Sequence, residues 1–156
     1  MRKWLALSAL ITLFDIISKH YIKKSWHLGE HLQVTQFFDL VRYHNPGAAF
    51  SFLADQSGWQ QTMFSAFAMI AAVIIVALIA RNLARQRFCL ALALILGGAL
   101  GNLYDRLTVG YVVDFLFFHY QHWYWPAFNI ADSAISVGVV LLLWDNFRQS
   151  RVQANS

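Results

Sequence analysis

Four long apolar stretches, at about 4–22, 59–80, 88–104 and 128–145, alternate with more polar segments along the chain. A helix needs about 20 residues to cross roughly 30 Å of hydrocarbon, so each stretch is near the length of one crossing. The second is the most uniform, with Ser65 as the only polar residue between 63 and 80. The third and fourth are shorter, and each carries a polar residue near one end. A helix satisfies its own backbone amides in lipid, which other open structures cannot do. The pattern predicts a membrane all-α protein: a four-transmembrane-helix bundle in a single domain over 1–156. The segments between are not low in complexity. "HLQVTQFFDLVRYHN" (31–45) has partial apolar–polar alternation and β-forming residues, which predicts a strand or hairpin. "NPGAAF" (45–50) reads as a turn, and "HYQHWYWP" (119–126) as an aromatic cluster suited to a membrane interface.

Composition supports the membrane reading. Hydrophobic residues make up 58% of the chain and charged residues 13%, against about a quarter charged in soluble domains. The net charge of +4 would by itself admit nucleic acid. The basic residues are few and scattered, however, with no interleaved basic–aromatic patch, so no nucleic-acid partner is expected. They follow membrane topology instead. Arg2 and Lys3, the Arg81, Arg85 and Arg87 loop, and Arg148 and Arg151 fall on one side of a four-crossing chain. Lys23, Lys24, Arg42 and Arg106 fall on the other, with Lys19 at a helix end. The denser basic side faces the cytoplasm. Both termini are then cytoplasmic, and loops 23–58 and 105–127 lie outside with a small extracytoplasmic β element. The opening "MRKWLALSALITLF" has the charge and apolar run of a signal peptide without a small-x-small cleavage site, and reads as a retained anchor. Cys89 is the sole cysteine, so neither an internal disulfide nor a zinc spacing arises.

Depth along the helices gathers the polar residues. At about 1.5 Å per residue, Asp15 lies roughly 18 Å from Lys3, Asn102 roughly 22 Å from Arg87, and Asp132 roughly 20 Å from Asp145. All three then sit about 10 Å below the outer face of a 30 Å layer. Charges there are costly and face a bundle interior or a watery cavity. A single recessed polar site, open to the outside, is expected. "GYVVDFLFF" (110–118) is too short to span, and as an extended segment returning to the bundle it would bring Asp114 to the depth of Asp132.

Each candidate has a plainer alternative. Asp132 could serve only as a third-position helix carboxylate behind an Asn129 cap. Asp114 could be a loop acid, and Asp105 with Arg106 an interfacial ion pair. Asp15 and Lys19 have the spacing of an intrahelical pair, and a structural role suits them better than chemistry. His119 and His122 with Asp114 could hold a metal, but no HExxH-type helix pattern supports it, and no metal or other cofactor is expected. Ser133 has no histidine at a relay spacing, and no G-x-S-x-G is present. Two carboxylates in one recessed site suit general acid–base attack of water on a carbonyl, with one proton shared because close like charges raise one pKa. Residue chemistry alone leaves a membrane aspartyl hydrolase beside a proton-handling transporter or a structural subunit.

Five motifs decide among these. "DIISK" (15–19), "NPGAAFS" (45–51), "GNLYDR" (101–106), "GYVVDF" (110–115) and "FNIADS" (128–133) occur in an order that closely resembles the lipoprotein signal peptidases, signal peptidase II, over nearly the whole chain. The resemblance implies an inner-membrane aspartyl endopeptidase that cuts prolipoproteins before the lipid-modified cysteine. It implies a catalytic pair at Asp114 and Asp132. Asn45, Gly47, Asn102, Arg106, Asn129 and Ala131 would line the site, and Asp15, Lys19 and Asp105 would support it. It also implies inhibition by globomycin, and contact with membrane lipids follows from a substrate tethered in the bilayer.

Overall fold

The apolar stretches become α1 (Arg2–Ser25), α2 (Trp59–Arg81), α3 (Gln86–Thr108) and α4 (Ile130–Ala154), in a computed structural model that describes residues 1–47 and 59–154. All four helices are long and apolar enough to cross a membrane. α3 is the central one, packed against the other three and the most buried of them. Small residues make this possible: Ala91, Ala93, Gly97, Gly98 and Gly101 all lie on its buried face. A side chain on Gly97 would put its Cβ 2.8 Å from the Ser8 carbonyl oxygen of α1. In lipid, where apolar faces gain little by leaving solvent, close approach and polar cross-links hold helices together. Ser8 Oγ donates to the Ala93 carbonyl at 2.9 Å, and Thr12 Oγ1 to the Gly97 carbonyl at 2.9 Å. On the outward faces Phe14, Phe67, Val73, Val140 and Phe147 are exposed, as lipid contact requires.

The helices outrun the apolar stretches. α3 continues through Asp105 and Arg106, which sit in its last turn rather than in a loop. The turn closes through Val109 N–H on the Asp105 carbonyl at 2.9 Å, and Gly110 follows at φ +85°, a left-handed stop that glycine adopts without strain.

A four-stranded antiparallel sheet in the order β1-β2-β3-β4 caps one end of the bundle. The hairpin expected at 31–45 is β1 (His31–Thr35) with β2 (Phe38–Asn45). The segment after Gly110 is β3 (Val112–Tyr120), paired with β2 at Tyr43↔Asp114 and Asn45↔Val112. The aromatic segment turns back on itself as β4 (Trp123–Tyr124), with Gln121 at φ 52° in the turn. The first part of β3 has no alternation because both of its faces are covered, and Val113 and Phe115 pack on Ile22 of α1. Asn45 Oδ1 accepts from Gly47 N–H at 2.9 Å, a side-chain-closed turn in which Gly47 takes φ +102°. Residues 48–51 of the "NPGAAFS" motif lie outside the described residues.

Candidate active site

Asp114 enters from the sheet and Asp132 from the first turn of α4, and Asn129 joins them. Phe128 is strapped to β3, its carbonyl accepting from Phe115 N–H at 3.0 Å and from Leu116 N–H at 2.8 Å. This fixes Asn129 beside the strand at the point where α4 begins. Its Nδ2 donates to Asp114 Oδ1 at 2.7 Å and to the Val113 carbonyl at 3.3 Å. Its Oδ1 accepts from Asp132 N–H at 2.9 Å, while Asp132 Oδ2 accepts from Asn129 N–H at 3.3 Å. The pair of bonds is a reciprocal capping box. Capping and chemistry are therefore not rivals at Asp132: one oxygen caps, and the other accepts from Asn102 Nδ2 at 2.7 Å. Asp114 Oδ2 accepts from Asn45 Nδ2 at 3.1 Å.

Behind this pair lies a buried ionic knot. Lys19 Nζ is 2.7 Å from Asp15 Oδ2 and 3.3 Å from Asp105 Oδ2, and donates to Asn102 Oδ1 at 2.8 Å. Its flat acceptor in Asn102 leaves the amide Nδ2 to face Asp132. Asp15 Oδ1 accepts from Ala131 N–H at 2.8 Å, and Asp105 Oδ2 from Val113 N–H at 3.3 Å. Asp15, Asn102 and Asp132, placed at one depth by counting along the helices, thus belong to one hydrogen-bonded network.

Asp105 and Arg106 do not pair with each other. Neighbours on a helix point about 100° apart. Asp105 turns to Lys19, and to Lys23 at 3.8 Å. Arg106 turns the other way, its guanidinium 5.5 Å from the Phe64 ring and its charge acting on Asp132 and Asp114. Gly47 lies on that side too, where an added Cβ would meet the Phe64 ring at 2.9 Å.

Asp114 is buried, and its carboxyl is pushed up to about 7, first by burial and then by the negative charge of Asp132. The Asn45 and Asn129 amides pull it back only in part. Two carboxylates with one held in the neutral range can take a proton from water and give one to a carbonyl oxygen.

Among the described residues, neither a metal-holding cluster around His119, His122 and Asp114 nor a serine relay is assembled. His119 bonds Asp39 at 3.2 Å. It stands five residues from Asp114 along β3, and an odd spacing points side chains to opposite faces. Ser133 Oγ donates to the Asn129 carbonyl at 2.9 Å and has no histidine partner among the described residues. The strap through Phe128 and the Lys23–Asp105 contact have no sequence signal, because both depend on how β3 returns.

The sequence matches the signal peptidase (SPase) II family over residues 7–148. The lipoprotein signal peptidase of Paraburkholderia phytofirmans is 51% identical over 148 residues, covering 95% of this chain and 86% of that one. That of a Janthinobacterium species is 48% identical over 149 residues, covering 96% and 90%. A bacterial membrane enzyme solved in meso superposes with a TM-score of 0.85 at 26% identity, covering 96% of this chain and 90% of that one. A second superposes at 0.82 and 28% identity, covering 92% and 91%.

Proposed function

The chain belongs to the signal peptidase II family of membrane proteases, and on that premise we propose how it removes signal peptides from prolipoproteins. The substrate carries a diacylglyceryl-modified cysteine, and the cut falls just before it. Asp132 takes a proton from water, which attacks the scissile carbonyl. Asp114 gives its proton to the carbonyl oxygen. The tetrahedral intermediate collapses as its nitrogen takes the proton that Asp132 drew from water and one hydroxyl returns a proton to Asp114, breaking the C–N bond and releasing the signal peptide's new carboxyl end. Each positioned proton transfer is worth about 10²–10⁴-fold in rate. The observation that carries this reading is Asn129, which hydrogen-bonds both carboxyl residues and holds them in one site. Asp114 pushed up to about 7 supports the shared proton.

The other residues position. Asn102 and Asn45 fix the outer oxygens of the pair. Gly47 and Arg106 line the approach, whereas Ala131, expected there, is fully buried with its N–H on Asp15; Asp15, Lys19 and Asp105 hold α1, α3 and α4 in register beneath it. The basic 81–87 loop supports cytoplasmic termini in a bacterial inner membrane, with the site near the outer face. There a substrate tethered by its acyl chains presents its scissile bond at the recessed depth of the two aspartates. Globomycin is the expected inhibitor.

The test is mass analysis of products from purified protein in lipid, given a diacylglyceryl-modified prolipoprotein or its unlipidated form. The expected result is one cut before the lipidated cysteine, unaffected by EDTA and blocked by globomycin. A cut elsewhere, equal cleavage of the unlipidated form, or loss of activity in EDTA contradicts the proposal.

A further inference from the structure

α1 and α3 part at their sheet-side ends to leave a cleft of about 500 Å³, lined by Asp105 and by neither of the two candidate catalytic aspartates. Its lower wall is Ile16 and Ile17, and its rim carries His20, Lys23 and Lys24 with Val109 at the end of α3. Lys23 and Lys24 stand about seven residues above Ile16 and Ile17, roughly 10 Å along the helix. The cleft therefore has a cationic mouth at the end of a spanning helix and an apolar floor inside the bilayer.

The charge at the mouth is incompletely matched. Lys23 reaches Asp105 at 3.8 Å, but Asp105 is shared with Lys19. Lys24 has no carboxylate partner among the described residues. Arg42 adds a further cation at the same helix end, donating to the Lys23 carbonyl at 3.1 Å. Tyr21 and Tyr104 are exposed beside the opening, the amphipathic residues of a headgroup layer.

We propose that this cleft binds an anionic phospholipid, its phosphodiester at Lys23 and Lys24 and the upper part of an acyl chain over Ile16 and Ile17. Basic pockets between spanning helices suit such headgroups. A neutral lipid has no phosphodiester for the mouth, a zwitterionic one brings its own ammonium cation beside the two lysines, and a free anion would leave the apolar floor empty. The diacylglyceryl group of the proposed substrate carries no phosphate, so this lipid is a separate ligand. Its phosphate competes with Asp105 for Lys23, at the residue that also holds Val113 beside Asp114.

Native mass spectrometry of the full chain, with phosphatidylglycerol or phosphatidylcholine titrated into detergent, tests this directly. Wild type should retain phosphatidylglycerol over phosphatidylcholine. Each surface lysine is worth enough that Lys23→Gln with Lys24→Gln should weaken that retention roughly thirtyfold. Ile17→Trp, which fills the cleft and leaves its charge, should weaken it as well, and covers the case in which the double variant folds poorly. Arg81→Gln with Arg87→Gln, at the far end of the bundle, should leave it unchanged. Equal retention of the two lipids, undiminished retention in both cleft variants, or loss only in the Arg81 and Arg87 variant overturns the proposal. So does full displacement of the lipid by inorganic phosphate at equal concentration, which would mark a free-anion site.

Discussion

Asp114 takes its character from where β3 puts it. An exposed aspartate would ionise near 3.8, while this one, buried and beside Asp132, is pushed up to about 7. The folded protein therefore binds this proton more tightly than the unfolded chain. The stabilisation is present below 3.8 and is lost as pH rises through about 7. Melting curves between pH 5 and pH 8 should show wild type losing stability over that interval, and Asp114→Asn should flatten this part of the profile. An unchanged slope would contradict the buried shared proton. Asn129 supports both carboxyl residues and caps α4. Asn129→Ala should cost about 1 kcal/mol from the lost cap, and about 10²-fold in kcat from misplacing the reacting groups. A loss in stability with full kcat would reduce it to a cap. At this scale the sequence was informative about types and not about partners. The i,i+4 spacing of Asp15 and Lys19 correctly gave their 2.7 Å pair. The adjacency of Asp105 and Arg106 wrongly implied another, since helical neighbours diverge.

The elements meet through two devices, small residues and one buried lysine. A Cβ on Gly98 would overlap the Ala131 carbonyl oxygen, one residue before Asp132. Gly98→Val should thus push α3 from α4, lengthen the Asn102–Asp132 contact and lower both melting temperature and cleavage rate. Full activity in that variant would show that helix spacing does not set the site. Among the described residues, Lys19 is the cation that contacts both Asp15 and Asp105, and the more distant Lys23 contacts Asp105 alone. Removing one partner of a buried ionic group costs about 3–5 kcal/mol. Lys19→Ala should therefore lower stability by that order in denaturant unfolding, whereas a loss under 1 kcal/mol would mean that water reaches the knot. Helices were legible from apolar length alone. The sheet was legible only in part: alternation marked 31–45, but the doubly covered start of β3 carries no period-two signal. The short β4 was legible only as aromatic residues. Strand pairing is set by what packs on the bundle end, which a local pattern does not encode.

The whole molecule is a bundle whose charge is confined to its ends and to one internal network. That asymmetry supports basic loop 81–87 on the cytoplasmic side and the sheet outside. A cysteine at Gln121, in the β3–β4 turn, should react with an impermeant thiol reagent from outside intact cells, and one at Leu83 should not. The reverse pattern would invert the topology. What the chain's length could not give was the meeting of Asp114 with Asp132, because it requires a strand to return after α3 ends. The shortness of 110–118 allowed such a return, and the ordered motifs named the pair. The central claim is that these two carboxyl groups perform the cleavage, and the most direct test is turnover of diacylglyceryl-modified prolipoprotein by Asp114→Asn and Asp132→Asn. Both variants should remain folded and release no signal peptide, while wild type cleaves. Wild-type turnover by either folded variant would contradict the account.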